Sequence, residues 1–234
     1  MSLFPDKKIL ALIPARGGSK RIPRKNIRLF ADRPIIEYPI KAAIKANCFT
    51  EIMVSTDDAE IAEFAKQAGA KVPFFRSEVN SGDHAIVNDV IAETLAEYEK
   101  QGQYYDYLCC ILPTAVFISP EQFSKSLKVL VDGDYDAVIP IVKYSHPIQR
   151  AFKIEEGKLL MLYPENFRKR TQDLESFYYD SGTFYWLNVS RFLQKKATLT
   201  DNTGAFEIPE SECRDIDTEE DWRLAEMLFK AKNR

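Results

Sequence analysis

Arg16, Lys20, Arg21, Arg24 and Lys25 stand within residues 16–25, around the pair Gly17-Gly18 and directly after the apolar run at 8–14. Adjacent glycines let backbone N–H groups approach a phosphate closely, and the cations can neutralise it. Arg16, Lys20 and Lys25 therefore suit a triphosphate, Pro23 stiffens the return of the loop, and Asn26 can hydrogen-bond ribose or phosphate. The loop is neither a Walker A sequence nor GxGxxG. A solvated basic turn would have the same composition, but the net charge of −3 makes this cluster a local feature that needs a local ligand.

A second set of candidates lies near the end of the chain. Asp215 and Asp217 flank Ile216, and on an extended backbone alternate side chains share a face. Two hard carboxylates could hold Mg²⁺, with phosphate and water completing the octahedron. The competing role is a helix N-cap at Asp217 or Thr218. Asp57 and Asp58 precede a helical pattern, and Asp57 with Glu60 reads as a capping box. Arg76 could contact base and ribose, or be a solvated surface arginine. His84 and His146 stand at no catalytic-triad spacing, and Cys48, Cys109, Cys110 and Cys213 lack metal-site spacing and read as reduced thiols.

The elements that must position these residues alternate. Apolar runs at 8–14, 51–56, 71–76, 106–112 and 136–143 read as strands, and amphipathic patterns at 34–46, 59–69, 86–102 and 119–133 as helices. Pro39 strains the first helix or marks its start. This alternation predicts an α/β fold with a doubly wound, mainly parallel sheet, whose ligands sit at the carboxyl ends of the strands. The pattern breaks over residues 145–180, where proline, aromatics and a Glu156-Gly157 turn suggest an inserted β-rich arm. Strands near 183–190 and 205–209, and a strand end at 213–217 leading into a closing helix, complete one domain over 1–234. At 234 residues and 45% hydrophobic content the chain can bury a full core. The acidic balance argues against a nucleic-acid binder, and the lack of a long apolar run or secretory signal argues for a cytosolic protein without a membrane span.

The stretch Leu12–Asn26, with "VSTDD", "FFRSE" and "RDIDTEEDW", resembles the CMP-sialic acid synthetase family of cytidylyltransferases over nearly the whole chain. The first stretch is highly specific; the others support it. The stretches "YLCCILPTAVFIS", "SHPIQRAFKI" and "YPENFRKRTQDLESFYYDSGTFYW" look most like the branch that activates pseudaminic acid. The resemblance implies a GT-A-like, Rossmann-type nucleotidyltransferase fold, and a reaction of CTP with a nine-carbon 2-keto sugar acid to give a CMP-sugar and pyrophosphate. N-acetylneuraminate and legionaminate are the alternative sugars, and a non-catalytic nucleotide-binding homologue the alternative class. It implies that Arg16, Lys20 and Lys25 bind and activate the triphosphate, beside Ala15, Gly17, Gly18 and Ser19. Asn26 and Arg76 would take the nucleoside, with the backbone near Ala85 reading cytosine, and Asp215 and Asp217 would hold Mg²⁺. Arg170, with Lys169 or Gln172, is the choice for the sugar. The arm at 145–180 would form a homodimer, its aromatics Phe152, Tyr163, Phe167, Phe177 and Tyr178 being too many for a bare loop. Sialate enzymes more often carry Gln-Pro-Thr-Ser-Pro-Leu-Arg where this chain has Leu112–Ile118, so an apolar edge of Leu112, Ala115, Val116 and Phe117 would suit a sugar with a C9 methyl. Ser181 and Thr183 also depart from the Ala and Gln that pseudaminate enzymes more often show.

Overall fold

The computed structural model describes residues 4–82 and 85–232; His84 lies outside them. In chain order the elements are β1 (Ile9–Pro14), β2 (Leu29–Phe30), β3 (Arg33–Pro34), α1 (Glu37–Ala46), β4 (Glu51–Ser55), α2 (Ala59–Ala68), α3 (Glu78–Ser81), α4 (Val87–Lys100) and β5 (Tyr107–Ile111). They continue as α5 (Pro120–Asp132), β6 (Ala137–Lys143), β7 (Phe152–Glu155), β8 (Lys158–Met161), β9 (Tyr178–Asp180), β10 (Phe184–Asn188), α6 (Val189–Lys195), β11 (Thr203–Glu207) and α7 (Glu219–Lys232).

The central sheet has the order β11-β6-β10-β5-β1-β4, with β9 paired to β6. Strands β4, β1, β5, β6 and β11 run one way, and β10 and β9 the other. The sheet is therefore mixed and mainly parallel. Because side chains alternate across a strand, Ile9, Ala11 and Ile13 face the cluster that includes residues of α1, α2 and α5. Leu10 and Leu12 face the opposite cluster with residues of α4 and α6. Burial on both faces explains why β1 is an unbroken apolar run. Pro39 is the third residue of α1, where its missing N–H would have had no helical partner, so the helix simply starts before it.

Three sequence expectations change. Residues 71–76 form no strand: Lys71 makes one bridge to Met53, and Pro73 follows, which cannot donate to a ladder. Residues 213–217 make no ladder and are an extended lead into α7. The segment at 145–180 is less β-rich than expected, holding one hairpin, β7-β8, and short 3₁₀ turns. Glu156 and Gly157 form the hairpin turn with φ of 50° and 76°. The last three residues of that segment are β9 and belong to the central sheet.

Candidate active site

Pairing of Pro14 with Ser55, Leu12 with Cys110 and Ile111 with Phe184 brings the carboxyl ends of β1, β4 and β5 and the amino end of β10 to one edge. The basic loop leaves β1 there, and fixed points hold it. Ala15 is buried and donates its N–H to Ser55 O at 2.9 Å. Gly17 donates its N–H to Asp57 Oδ1 at 2.9 Å. Ile22 is buried among Phe30, Ile35, Ile216 and Trp222. Asp58, not Asp57, caps α2, accepting from Glu60 and Ile61 N–H at 3.0 Å. Arg24, in the left-handed region, pairs with Asp58 and Glu60.

The two glycines differ. A Cβ on Gly17 would stand 2.7 Å from Asp58 Oδ2, whereas one on Gly18 meets nothing within 4 Å. Gly17 thus lets the loop lie against the start of α2, and Gly18 is the glycine with room above it.

The loop walls a cleft of about 420 Å³, also lined by Asn26, Arg76, Asn80, Ala85 and Leu112. Of the expected residues Arg16, Ser19, Lys20, Lys25, Asn26, Arg76 and Ala85 line it; Ala15, Gly17 and Gly18 do not. Arg16 donates to Gly82 O at 2.9 Å. Ala85 gives its N–H to Gly82 O at 3.3 Å. Arg76 is buried, not solvated: it donates to Ser55 Oγ at 2.9 Å and to the Ser55 carbonyl, and burial lowers its pKa against the opposing field of Asp57 and Glu93. Asn26 donates through Nδ2 to Arg16 O at 2.9 Å, while its buried Oδ1 finds no partner among the described residues. That orphan acceptor suits a ligand hydroxyl or amine and not a phosphate oxygen, which carries no proton to donate.

Asp215 and Asp217 project away from the fully buried Ile216. Lys25 Nζ donates to Ile216 O at 2.8 Å and lies 3.4 Å from Asp217 Oδ1, and Arg21 Nη2 lies 2.8 Å from the same oxygen. Burial first, then the charge of Asp217, raises the pKa of Asp215, with Lys25 opposing. Two coupled hard oxygen donors beside a cationic cleft fit a divalent cation that takes its other ligands from phosphate and water. Among the described residues no cluster of three or more His, Cys, Asp or Glu could hold a metal by itself. The N-cap of α7 is Thr218 and not Asp217: Thr218 Oγ1 accepts from Asp221 N–H at 3.2 Å while Asp221 Oδ2 accepts from Thr218 N–H at 2.9 Å, a capping box that leaves the Asp217 carboxylate other partners.

Asp215 also lines a second cavity of about 320 Å³ with Asp180, Ser181, Gly182, Arg214 and Asp221. Asp180 accepts from Tyr185 Oη and from Gly182 N–H, both at 2.9 Å, and burial pushes the Tyr185 phenol up. The sequence reading missed Asp180, Tyr185 and Arg214. The one local signal was Gly182, which takes φ of 61° and turns the chain from β9 into β10. Ser181 and Thr183 are buried with their hydroxyls 2.7 Å apart.

Other expectations part from the structure. Val116 and Phe117 pack with Ile22 and Trp222, and Ala115 joins the core over β1, so of the apolar edge only Leu112 lines the cleft. The cause is the turn after β5, which points these side chains inward. Arg170 is exposed and paired with Asp173 at 2.9 Å, and Gln172 and Lys169 are exposed; none lines the cleft of its own chain. His146 is exposed, with Ser145 Oγ 3.3 Å from its Nδ1. All four cysteines are buried thiols.

A family model described as cytidylyltransferase matches residues 10–198. The chain is 34% identical over 227 residues to a pseudaminic acid cytidylyltransferase of Campylobacter jejuni, covering 97% of this chain and 98% of that one. It is 35% identical over 232 residues to a CMP-N,N'-diacetyllegionaminic acid synthase of Legionella pneumophila, covering 95% and 96%. Among solved structures, a CMP:2-keto-3-deoxy-manno-octonic acid synthetase complexed with CTP shares the fold, with a TM-score of 0.72 at 15% identity over 96% of this chain and 99% of that one.

Proposed function

The chain belongs to the cytidylyltransferase family, and from that premise we propose that it transfers CMP from CTP to pseudaminic acid, releasing pyrophosphate. The observation that carries the reading is the cleft at the strand edge where Arg16, Lys20 and Lys25 meet Asn26 and Arg76. The cations take the triphosphate. The orphan Oδ1 of Asn26 accepts from the nucleoside. Buried Arg76 holds the floor of the cleft against the end of β4.

The sugar's anomeric hydroxyl attacks the α-phosphorus in line. A new P–O bond forms, the bond to pyrophosphate breaks and leaves its electron pair on the departing oxygen, and the hydroxyl proton passes to solvent water. Negative charge grows on the leaving group and the non-bridging oxygens, where Arg16, Lys20 and Lys25 oppose it. Asp215 and Asp217 would hold Mg²⁺, which when bound neutralises phosphate charge and lowers the pKa of the hydroxyl. Residues 145–177, which expose Phe152, Ile154 and Phe167, serve as the contact of a homodimer.

The sugar assignment rests on the Campylobacter relative, because the apolar edge that gave it a physical reason is core. A second reading, legionaminic acid, is favoured by the Legionella relative. Pyrophosphate release measured with CTP, UTP, ATP and GTP against pseudaminic, legionaminic and N-acetylneuraminic acids tests both. Release with CTP alone, and the highest kcat/KM with pseudaminic acid, is the expected result. A preference for legionaminic acid selects the second reading. CTP binding without turnover of any of the three sugars leaves a nucleotide-binding homologue.

A further inference from the structure

Arg21 is a cation of the basic loop that the mechanism leaves without a task. It lines the nucleotide cleft, yet its Nη2 lies 2.8 Å from Asp217 Oδ1. Lys25 approaches the same oxygen at 3.4 Å and also donates to Ile216 O at 2.8 Å. A divalent cation on Asp217 competes with these two side chains for the charge of the carboxylate and for its Oδ1. Lys25, mostly buried, keeps the Ile216 carbonyl when it lets the carboxylate go. Arg21 is 67% exposed, and among the described residues Asp217 is its one ion-pair partner, so it is the side chain able to leave. The anion within its reach is whatever polyphosphate fills the cleft, and a guanidinium can grip phosphate by two parallel hydrogen bonds.

We propose that Arg21 is a positioning residue that couples the nucleotide to the divalent cation, exchanging the Asp217 carboxylate for the triphosphate so that Asp217 is released to the metal as the nucleotide enters. The inference rests on the nucleotide reading above. An exposed pair of this kind is worth a factor of about one to five in an equilibrium constant, which a triphosphate can overcome. The coupling is reciprocal, so cation and nucleotide each strengthen the other's binding.

The test is a double-mutant cycle of CTP affinity, measured by calorimetry in EDTA, with a matching titration of Mn²⁺ alone followed by electron paramagnetic resonance. Asp217→Asn frees Arg21 and tightens metal-free CTP binding by about two- to fivefold, and in the Arg21→Gln background most of that gain disappears. Without nucleotide, Arg21→Gln tightens Mn²⁺ binding by a similar factor. Equal gains in both backgrounds, no gain in either, or an unchanged Mn²⁺ affinity overturns the proposal while the nucleotide reading stands. A parent protein that binds no CTP overturns both.

Discussion

At the scale of single residues, the loop divides its work between side chains that face the cleft and others that hold the loop in place. Gly17 belongs to the second group because its missing Cβ leaves room for Asp58, whose oxygens are committed to the cap of α2 and to Arg24. Gly17→Ala is expected to destabilise the protein by about 1–3 kcal/mol and to raise the KM for CTP, while Gly18→Ala leaves thermal stability near the parent's. Melting curves of the two variants decide this, and equal melting temperatures would show that the contact with Asp58 does not constrain the loop. In the proposed mechanism Lys20 and Lys25 meet charge that grows during transfer, so alanine at either position should lower kcat by about 10²-fold with a smaller change in CTP affinity. Near-normal turnover removes that lysine from the chemistry. Asp215→Asn and Asp217→Asn should each abolish or severely reduce Mg²⁺-supported turnover and leave a folded protein. Retention of the parent's metal dependence by both would assign these acids a structural role.

At the scale of elements, the far end of the sheet depends on one buried acid. Asp136, just before β6, accepts from Lys195 of α6 at 2.7 Å, from Thr200 Oγ1 at 2.8 Å and from Asn202 Nδ2 at 3.2 Å. It therefore joins the start of β6 to α6 and to the loop that begins β11. The Lys195 bond holds its pKa at about 2 against desolvation, below the ordinary value of 3.8. A depressed carboxylate contributes stability that is present above its unfolded pKa and lost as pH falls from about 4 through 2. Asp136→Asn should thus cost on the order of 2 kcal/mol at pH 7, with the gap to the parent closing below about pH 3. Denaturant unfolding at the two pH values measures it, and a gap independent of pH would attribute the loss to packing.

At the scale of the whole molecule, the segment between β6 and β9 exposes Phe152 at 54%, Ile154 at 76%, Leu159 at 64% and Phe167 at 70%. That much apolar surface on one hairpin and its flanks is what the proposed homodimer would cover. Sedimentation at micromolar concentration should give a dimer, and Ile154→Asp combined with Phe167→Asp should give a folded monomer. A parent that sediments as a monomer rejects the homodimer. Among the described residues no helix is long and apolar enough to cross a membrane.

Local chemistry made much of this protein legible in its sequence. An unbroken apolar strand leading into Gly-Gly and a run of cations pointed to the sheet edge where the cleft opens, because a parallel sheet buries such a strand and opens its ligand site at the strand's end. The regular alternation of apolar runs with amphipathic ones identified the α/β class. What residue types could not say was which way a side chain faces. Val116 and Phe117 looked like a cleft edge and are core, Arg76 looked like a surface cation and is buried, and Asp58 rather than its neighbour took the helix cap. Nor could sequence separation bring Arg21 to Asp217, or Asp180 beside Asp215, since these neighbours arise only when the lead into α7 packs on the loop after β1 and the turn before β10 packs on that lead. Composition and period decide which segments are buried, whereas the partner of a charged side chain is decided by the three-dimensional packing of elements far apart in the chain.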